Sequence, residues 1–278
     1  MVIGSRVGGR LALRPTDILG MALVLVTLSF VIAAPVLAPF DPNQSDLSAI
    51  FNPPGSAGHF LGTDQLGRDV WSRVIWAARP GLLEGVLPVA VATIVGYFLG
   101  IISGFGGRAT DTITMRLVDV MLAIPPVLMA IVVAATLGPG LRNLVIAMTV
   151  VLVAPIARVA RGTVLSIKER DYIRSARSLG ASERFILFRH IMPNAIGPTL
   201  AYSFPLVGIM IVFGAGLSFV GLGVQPPTAD WGRMVHEGRI ILGTSPHVST
   251  FPGLAIFLVG LGFILVGDWV KRLIGGEA

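Results

Sequence analysis

The sequence predicts an all-α, polytopic membrane protein with six transmembrane helices. Three observations lead there. The 278 residues are 54% hydrophobic and only 13% charged, with mean hydropathy +0.81, whereas soluble domains carry about 25% charged residues. Uncharged runs long enough to cross a hydrocarbon core of about 30 Å recur along the chain, at about 1.5 Å of rise per helical residue. The basic residues behind the net charge of +6 gather in particular connecting segments, which is the pattern of cytoplasmic loops facing anionic lipid rather than of a nucleic-acid surface.

The elements follow in order. Residues 1–17 read as a short tail carrying Arg6, Arg10 and Arg14, and residues 18–40 as the first span. A cleaved signal peptide fits poorly, because its apolar region spans about 7–15 residues and Pro39 follows the only small-residue candidate site, Val36-Leu37-Ala38. Residues 41–80 form an outer segment. Within it, Asp69 to Arg79 sets Val70, Trp71, Val74, Ile75 and Ala78 against Arg68, Ser72, Arg73 and Arg79 at helical spacing. That predicts an interfacial helix seating the second span, with Trp71 and Trp76 at headgroup level. Thr63 or Asp64 is expected to N-cap it. His59, Asp64 and Asp69 are too few to predict a metal site.

The core extends over residues 81–270. Gly85 to Gly107 reads as the second span, with Gly96, Gly100 and Gly104 at the small-xxx-small spacing that permits close helix packing. Val120 to Leu141 reads as the third. Asn143 to Ala157 is too short to span, so its helix is expected to continue past Arg158 and Arg161. Ile196 to Leu222 and Val248 to Gly267 complete the set, and residues 271–278 form the closing tail. Six spans put both termini on one side. With that side taken as inside, fifteen of the 21 Lys and Arg fall on inner segments, which places both termini and the segment 158–193 in the cytoplasm.

Several function classes are excluded or disfavoured. The chain has no Cys, hence no disulfide framework or thiolate chemistry. It has no G-x-x-x-x-G-K-[ST] phosphate loop, so any ATP must bind another chain. No ionisable residue is expected well inside a span, which argues against a proton-coupled pump or transporter; Pro88, Pro125, Pro126, Pro155, Pro198 and Pro205 interrupt the helices instead. Gly216 to Gly221 misses the G-x-S-x-G elbow by one position, and His236-Glu237 lacks a second His, so no hydrolase motif is complete.

The segment Arg158 to Pro193 is the most distinctive. It holds seven Arg and one Lys against three acidic residues. Asp171 to Leu179 contains no helix breaker, Gly180 falls where a C-cap glycine belongs, and Ser182 with Glu183 reads as the start of a second helix. Phe185, Ile186, Phe188 and Ile191 are expected to form an apolar side opposite Arg184 and Arg189, with Pro193 closing the helix. A helix–turn–helix of this kind suits either a lipid surface or the groove of a soluble partner.

Arg174-Ser175-Ala176, Gly180, His190 and Met192-Pro193 resemble the loop signature E-A-A-x-x-x-G, nine residues, I-x-L-P of binding-protein-dependent ABC importer permeases, with Arg174, Ser175, His190 and Met192 replacing its Glu, first Ala, Ile and Leu. Residues 62–69 (GTDQLGRD), Met115 to Asp119 with Ala123-Ile124-Pro125, and 217–227 (LSFVGLGVQPP) with Trp231-Gly232 are similar to segments of the dipeptide/oligopeptide/nickel branch, closest to the second of its two permease chains. The likeness covers residues 59 to 270. It implies a type I ABC importer permease fold, half of a translocation pathway for di- or oligopeptides, or alternatively for nickel or another small solute. A self-sufficient secondary transporter or channel is the alternative from another class. The implied partners are a second homologous permease chain, two cytoplasmic ABC ATPase subunits or domains that bind the ATP and Mg, an external solute-binding protein and membrane lipid. Neither a nucleic acid, nor a cofactor, nor a catalytic residue is implied in this chain. The implied location is a bacterial inner membrane. By the same resemblance Arg174, Ser175, Ala176, Gly180, Ala181, Ser182, Phe185, Met192 and Pro193 belong to the ATPase-coupling loop, and Arg174 in place of Glu alters one contact there.

Overall fold

The computed structural model describes residues 13–56 and 58–275; Arg6 and Arg10 of the first tail and residues 276–278 of the last lie outside the described residues. Among the described residues every extended regular element is a helix. The first, α1 (Pro15–Leu37), starts with Pro in its first turn, and Asp17 Oδ2 accepts from the Arg14 N–H at 2.9 Å, closing an otherwise unpaired helix end. It runs antiparallel to α12 (His247–Gly275) at close range. A Cβ on Gly20 would lie 2.6 Å from Leu265 Cβ, and one on Gly262 would lie 2.8 Å from Leu23 Cβ. Arg272 pairs with Asp17, so the start of α1 and the end of α12 share one end of the bundle.

The chain then folds residues 38–69 into a cap and enters α2 (Val70–Trp76) and α3 (Ala78–Phe105). Asp69, rather than Thr63 or Asp64, N-caps α2, accepting from Ser72 N at 2.7 Å. Nor does α2 present a solvated polar face as an interfacial helix would: Ser72 and Arg73 are as buried as Val70 and Ile75, because the cap covers them. The cap is a knot of short turns that needs glycine. At Gly67 (φ +69°) a Cβ would fall 1.7 Å from the Asp46 carbonyl oxygen.

The central pair is α3 with α6 (Leu141–Lys168). These two run parallel, because Gly96, Gly100 and Gly104 meet Ile156, Ala160 and Val164 in that order, with virtual Cβ contacts of 2.9, 2.5 and 2.9 Å. The glycine stripe therefore makes an intrachain contact. As expected, α6 carries its helix past Arg158 and Arg161; Arg161 donates to both oxygens of Asp111 at 2.6 Å and Arg158 pairs with Asp119, tying α6 to α4 (Arg108–Ala123).

Two expected spans are broken. The third is not one helix over 120–141. Instead α4 ends at Ala123 and α5 (Pro126–Leu137) departs at 91°. Pro125 and Pro126 cause this, because a residue before proline is driven to extended backbone, and Ile124 has φ −89°, ψ 129°. The fifth divides into α9 (Met192–Ser203) and α10 (Leu206–Phe219), bent by 44° at Pro205. Among the described residues, four helices are long and apolar enough to cross a membrane unaided, and up to six spans result when each bent pair counts as one. α10 runs antiparallel to α12, with a virtual Cβ of Gly208 2.3 Å from the Gly260 oxygen and that of Gly267 2.5 Å from Pro205. A short helix, α11 (Trp231–Gly238), packs on the cap end, where Trp231 Nε1 donates to the Val74 oxygen at 2.9 Å.

One ionisable group is nonetheless helical and buried at the cap end of α3. Glu84, one residue before the uncharged run 85–107, is in α3 and only 1% exposed.

Candidate functional site

The segment following α6 stands at the bundle end shared by the start of α1 and the end of α12, since a Cβ on Gly197 would meet Ile274 Cγ2 at 3.1 Å. It begins with α7 (Asp171–Ser178). Its ending is a Schellman turn: the Ala181 N–H donates to the Ala176 oxygen at 3.0 Å, the Gly180 N–H to the Arg177 oxygen at 2.9 Å, and Gly180 has φ +83°. Ser182 then caps α8 (Glu183–Ile186), accepting from Phe185 N at 3.3 Å, with Glu183 in the first turn at the positive end of the helix dipole. Arg177 reaches across the turn to Glu183 with two hydrogen bonds, 2.9 and 3.2 Å. An exposed pair of this kind contributes about 0.2–1 kcal/mol, so it trims the angle between the helices rather than holding them together.

The hold comes from beneath. Ile173, Ile186 and Ile191 are completely buried, in one apolar cluster with Tyr97, Ile101, Ala160, Val164 and Ile167 of α3 and α6. Burying each such side chain is worth about 1.5–3 kcal/mol. The Tyr97 hydroxyl donates to the Met192 oxygen at 2.6 Å, and Lys168 Nζ donates to the Gly104 oxygen at 2.9 Å. The loop is thus bolted to the ends of both central helices.

The apolar side expected from the sequence divides in two. Residues 187–191 form a π-helical turn, so Ile186 and Ile191, five apart, point into the cluster. Phe185 and Phe188 point out, 52% and 66% exposed. Leu179 at the tip is 87% exposed. Pro193 does not close the helix. Glu183 to Ser203 is continuous, with Pro193 the second residue of α9, directly after the π turn over 187–191.

Of the predicted site residues, Arg174, Ser175, Gly180, Ser182, Phe185 and Pro193 are exposed, while Ala176, Ala181 and Met192 are half-buried. Arg174 donates to Glu169 Oε2 at 2.7 Å, a neighbour on the same loop. The loop thus leaves Leu179, Phe185 and Phe188 exposed, together with Arg174, Arg177, Arg184 and Arg189. Sequence reasoning did not single out the anchors Tyr97 and Ile173; the spacing of Ile173 from Ile167 across the α6–α7 turn was the only available signal. At the opposite end, His59 Nδ1 meets Asp69 Oδ1 at 2.9 Å and Asp64 accepts from Arg68 Nε at 2.7 Å, so these donors are engaged with each other and with cations.

Comparison with known proteins bears on this arrangement. The family described as binding-protein-dependent transport system inner membrane component matches residues 96–276. The chain belongs to this family. The permease is 41% identical over 249 residues to a glutathione transport system permease protein of Pectobacterium atrosepticum, covering 89% of this chain and 82% of that one. It is 38% identical over 264 residues to a probable D,D-dipeptide transport system permease protein of Escherichia coli K12, covering 95% and 88%. A solved amino acid ABC transporter has the same fold at a TM-score of 0.57 and 19% identity, covering 72% of the permease and 94% of that chain. The permease is therefore a multi-pass inner-membrane subunit of an ABC importer, a transport component rather than an enzyme.

Proposed function

We propose that this permease forms half of a pathway importing di- or oligopeptides, paired with a second homologous permease chain, driven by two cytoplasmic ABC ATPases that bind the ATP and Mg, and supplied by an external binding protein. The observation that carries the coupling role is the surface around Leu179, Phe185 and Phe188. Apolar side chains at the tip of a loop anchored to two spans expect a partner's groove, and the anchors Ile173, Ile186 and Ile191 would pass its movement into α3 and α6. Arg174, Ser175, Ala176, Gly180, Ala181, Ser182, Phe185, Met192 and Pro193 make up that coupling loop. Both termini and the loop face the cytoplasm in this reading, on the strength of the basic-residue asymmetry. The peptide class is supported by the two relatives, whose names specify glutathione and D,D-dipeptide transport.

Substrate class is tested by uptake in cells carrying the complete system with and without this chain. Chain-dependent accumulation of a labelled small peptide, competed by excess unlabelled peptide and not by nickel, is the expected result. Chain-dependent nickel uptake that peptides leave untouched would overturn the peptide assignment.

A further inference from the structure

At the cap end, three elements converge on one buried acidic contact. Glu84 of α3 is 1% exposed, Asp230 at the N-cap of α11 is 2% exposed, and Ser218 near the end of α10 is 2% exposed. The Glu84 carboxyl meets the Asp230 carboxyl, and the Ser218 hydroxyl lies between them, donating to Glu84 Oε1 at 3.4 Å. Glycines clear the space: a Cβ on Gly214 would stand 2.9 Å from Glu84 Oε2, one on Gly223 1.7 Å from Ser218 Oγ, and one on Gly232 2.8 Å from Ser218 Cβ.

Charged groups facing the pair are few. Arg233 and Glu237 approach Asp230 from α11, and Arg233 is already paired with Glu237 at 3.1 Å. Arg68 of the cap takes the other Glu237 oxygen at 3.2 Å. α10 offers only the Ser218 hydroxyl, and α6 offers Met148. Among the described residues Glu84 therefore has no cationic partner. Two carboxyl groups in contact in a buried site do not both ionise. We propose that Glu84 and Asp230 share one proton and form a latch that ties the external helix α11 to the cap ends of α3 and α10, and that loss of the proton releases α11.

The sign follows from linkage. Burial pushes the Asp230 carboxyl up to about 6, while a solvated carboxylate titrates near 4. The latched state thus holds a proton that the released state gives up. Latching is strongest in acid and weakens as pH rises from about 4 through the titration of the pair, by up to about tenfold per pH unit for one proton.

The Cys-free chain permits a direct test. Met234 on α11 is 3% exposed and Leu47 on the cap 72%. Met234→Cys and, separately, Leu47→Cys are labelled in membranes with the permeant reagent N-ethylmaleimide between pH 5.5 and 8. The ratio of the two rates cancels the intrinsic ionisation of the thiol. The latch predicts a ratio rising at least tenfold over this range with Glu84 and Asp230 present, and a ratio independent of pH when Glu84→Gln and Asp230→Asn are combined; with either alone, the remaining buried acid still titrates and the ratio still rises. Both substitutions keep the hydrogen-bonding shape, and Asn retains the cap. Because each single variant keeps one acid, damage to folding by a substitution is told apart from loss of the titrating pair. A flat ratio in the parent, or an equal rise in the double variant, would overturn the proposal.

Discussion

Gly180 offers the sharpest perturbation, because its environment separates strain from crowding. A Cβ there meets nothing within 4 Å, yet φ is +83°, so any effect of a side chain comes from backbone conformation alone. In this region a β-branched residue costs about 1–2 kcal/mol, whereas Asn enters it readily. That cost acts on the turn that sets α8 against α7. It lowers the population of the docking geometry by a factor of about 5–30, and the apparent affinity for the ATPases falls by the same factor. The spans are untouched, so membrane abundance stays normal. The assay is titration of purified ATPase subunits onto membranes containing the parent, Gly180→Asn, Gly180→Ala or Gly180→Val. Affinity should fall in that order, with transport falling alongside. Parental affinity and transport for Gly180→Val would refute the claim that this turn positions the coupling surface.

Further predictions rest on other parts of the molecule. Gly100→Leu must force α3 from α6, since its Cβ would lie 2.5 Å from Ala160 Cβ and 2.7 Å from the Ala157 oxygen; thermal melts in detergent should show a loss of about 1–3 kcal/mol, while Gly162→Ala, in open space on α6, should be neutral or stabilising. Arg68→Leu removes one of two cations from buried Asp64 and from half-buried Glu237, which keep Arg73 and Arg233, and should cost about 1–3 kcal/mol, seen as faster proteolysis of the cap. Single cysteines at Leu47 and Ile240, 72% and 81% exposed, should react with an impermeant reagent in intact cells and a cysteine at Arg177 should not; the opposite pattern would reverse the orientation.

What the sequence made legible is what is written locally. The Schellman turn at Gly180 and the Ser182 cap are decided by residues within five positions of each other, and both are observed. The continuation of α6 past Arg158 was legible because a 15-residue run is too short to span. Features that depend on several elements at once were not. Prolines at 125 and 126 announce a break, but a 91° departure depends on what α4 and α5 pack against. The split between inward Ile186 and Ile191 and outward Phe185 and Phe188 comes from a π turn, and a 3.6-residue period does not anticipate it. The polar face of α2 reads as solvent-facing until the cap is seen to cover it. Glu84 was hidden for a different reason. Delimiting a span by its charges places each charge outside by definition, whereas α3 extends through it to Ala78.

The central claim is that this chain is one membrane subunit of an importer powered by ATPases docked on the loop between α6 and α9. Uptake of a labelled peptide into liposomes tests it most directly. Liposomes carrying this chain and its second permease, with ATP inside and binding protein outside, should accumulate peptide when the ATPase chains are included, take up less at limiting ATPase with Gly180→Val, and show none when this chain stands alone under a proton gradient. Gradient-driven uptake by this chain by itself, without ATPase or ATP, would contradict the account.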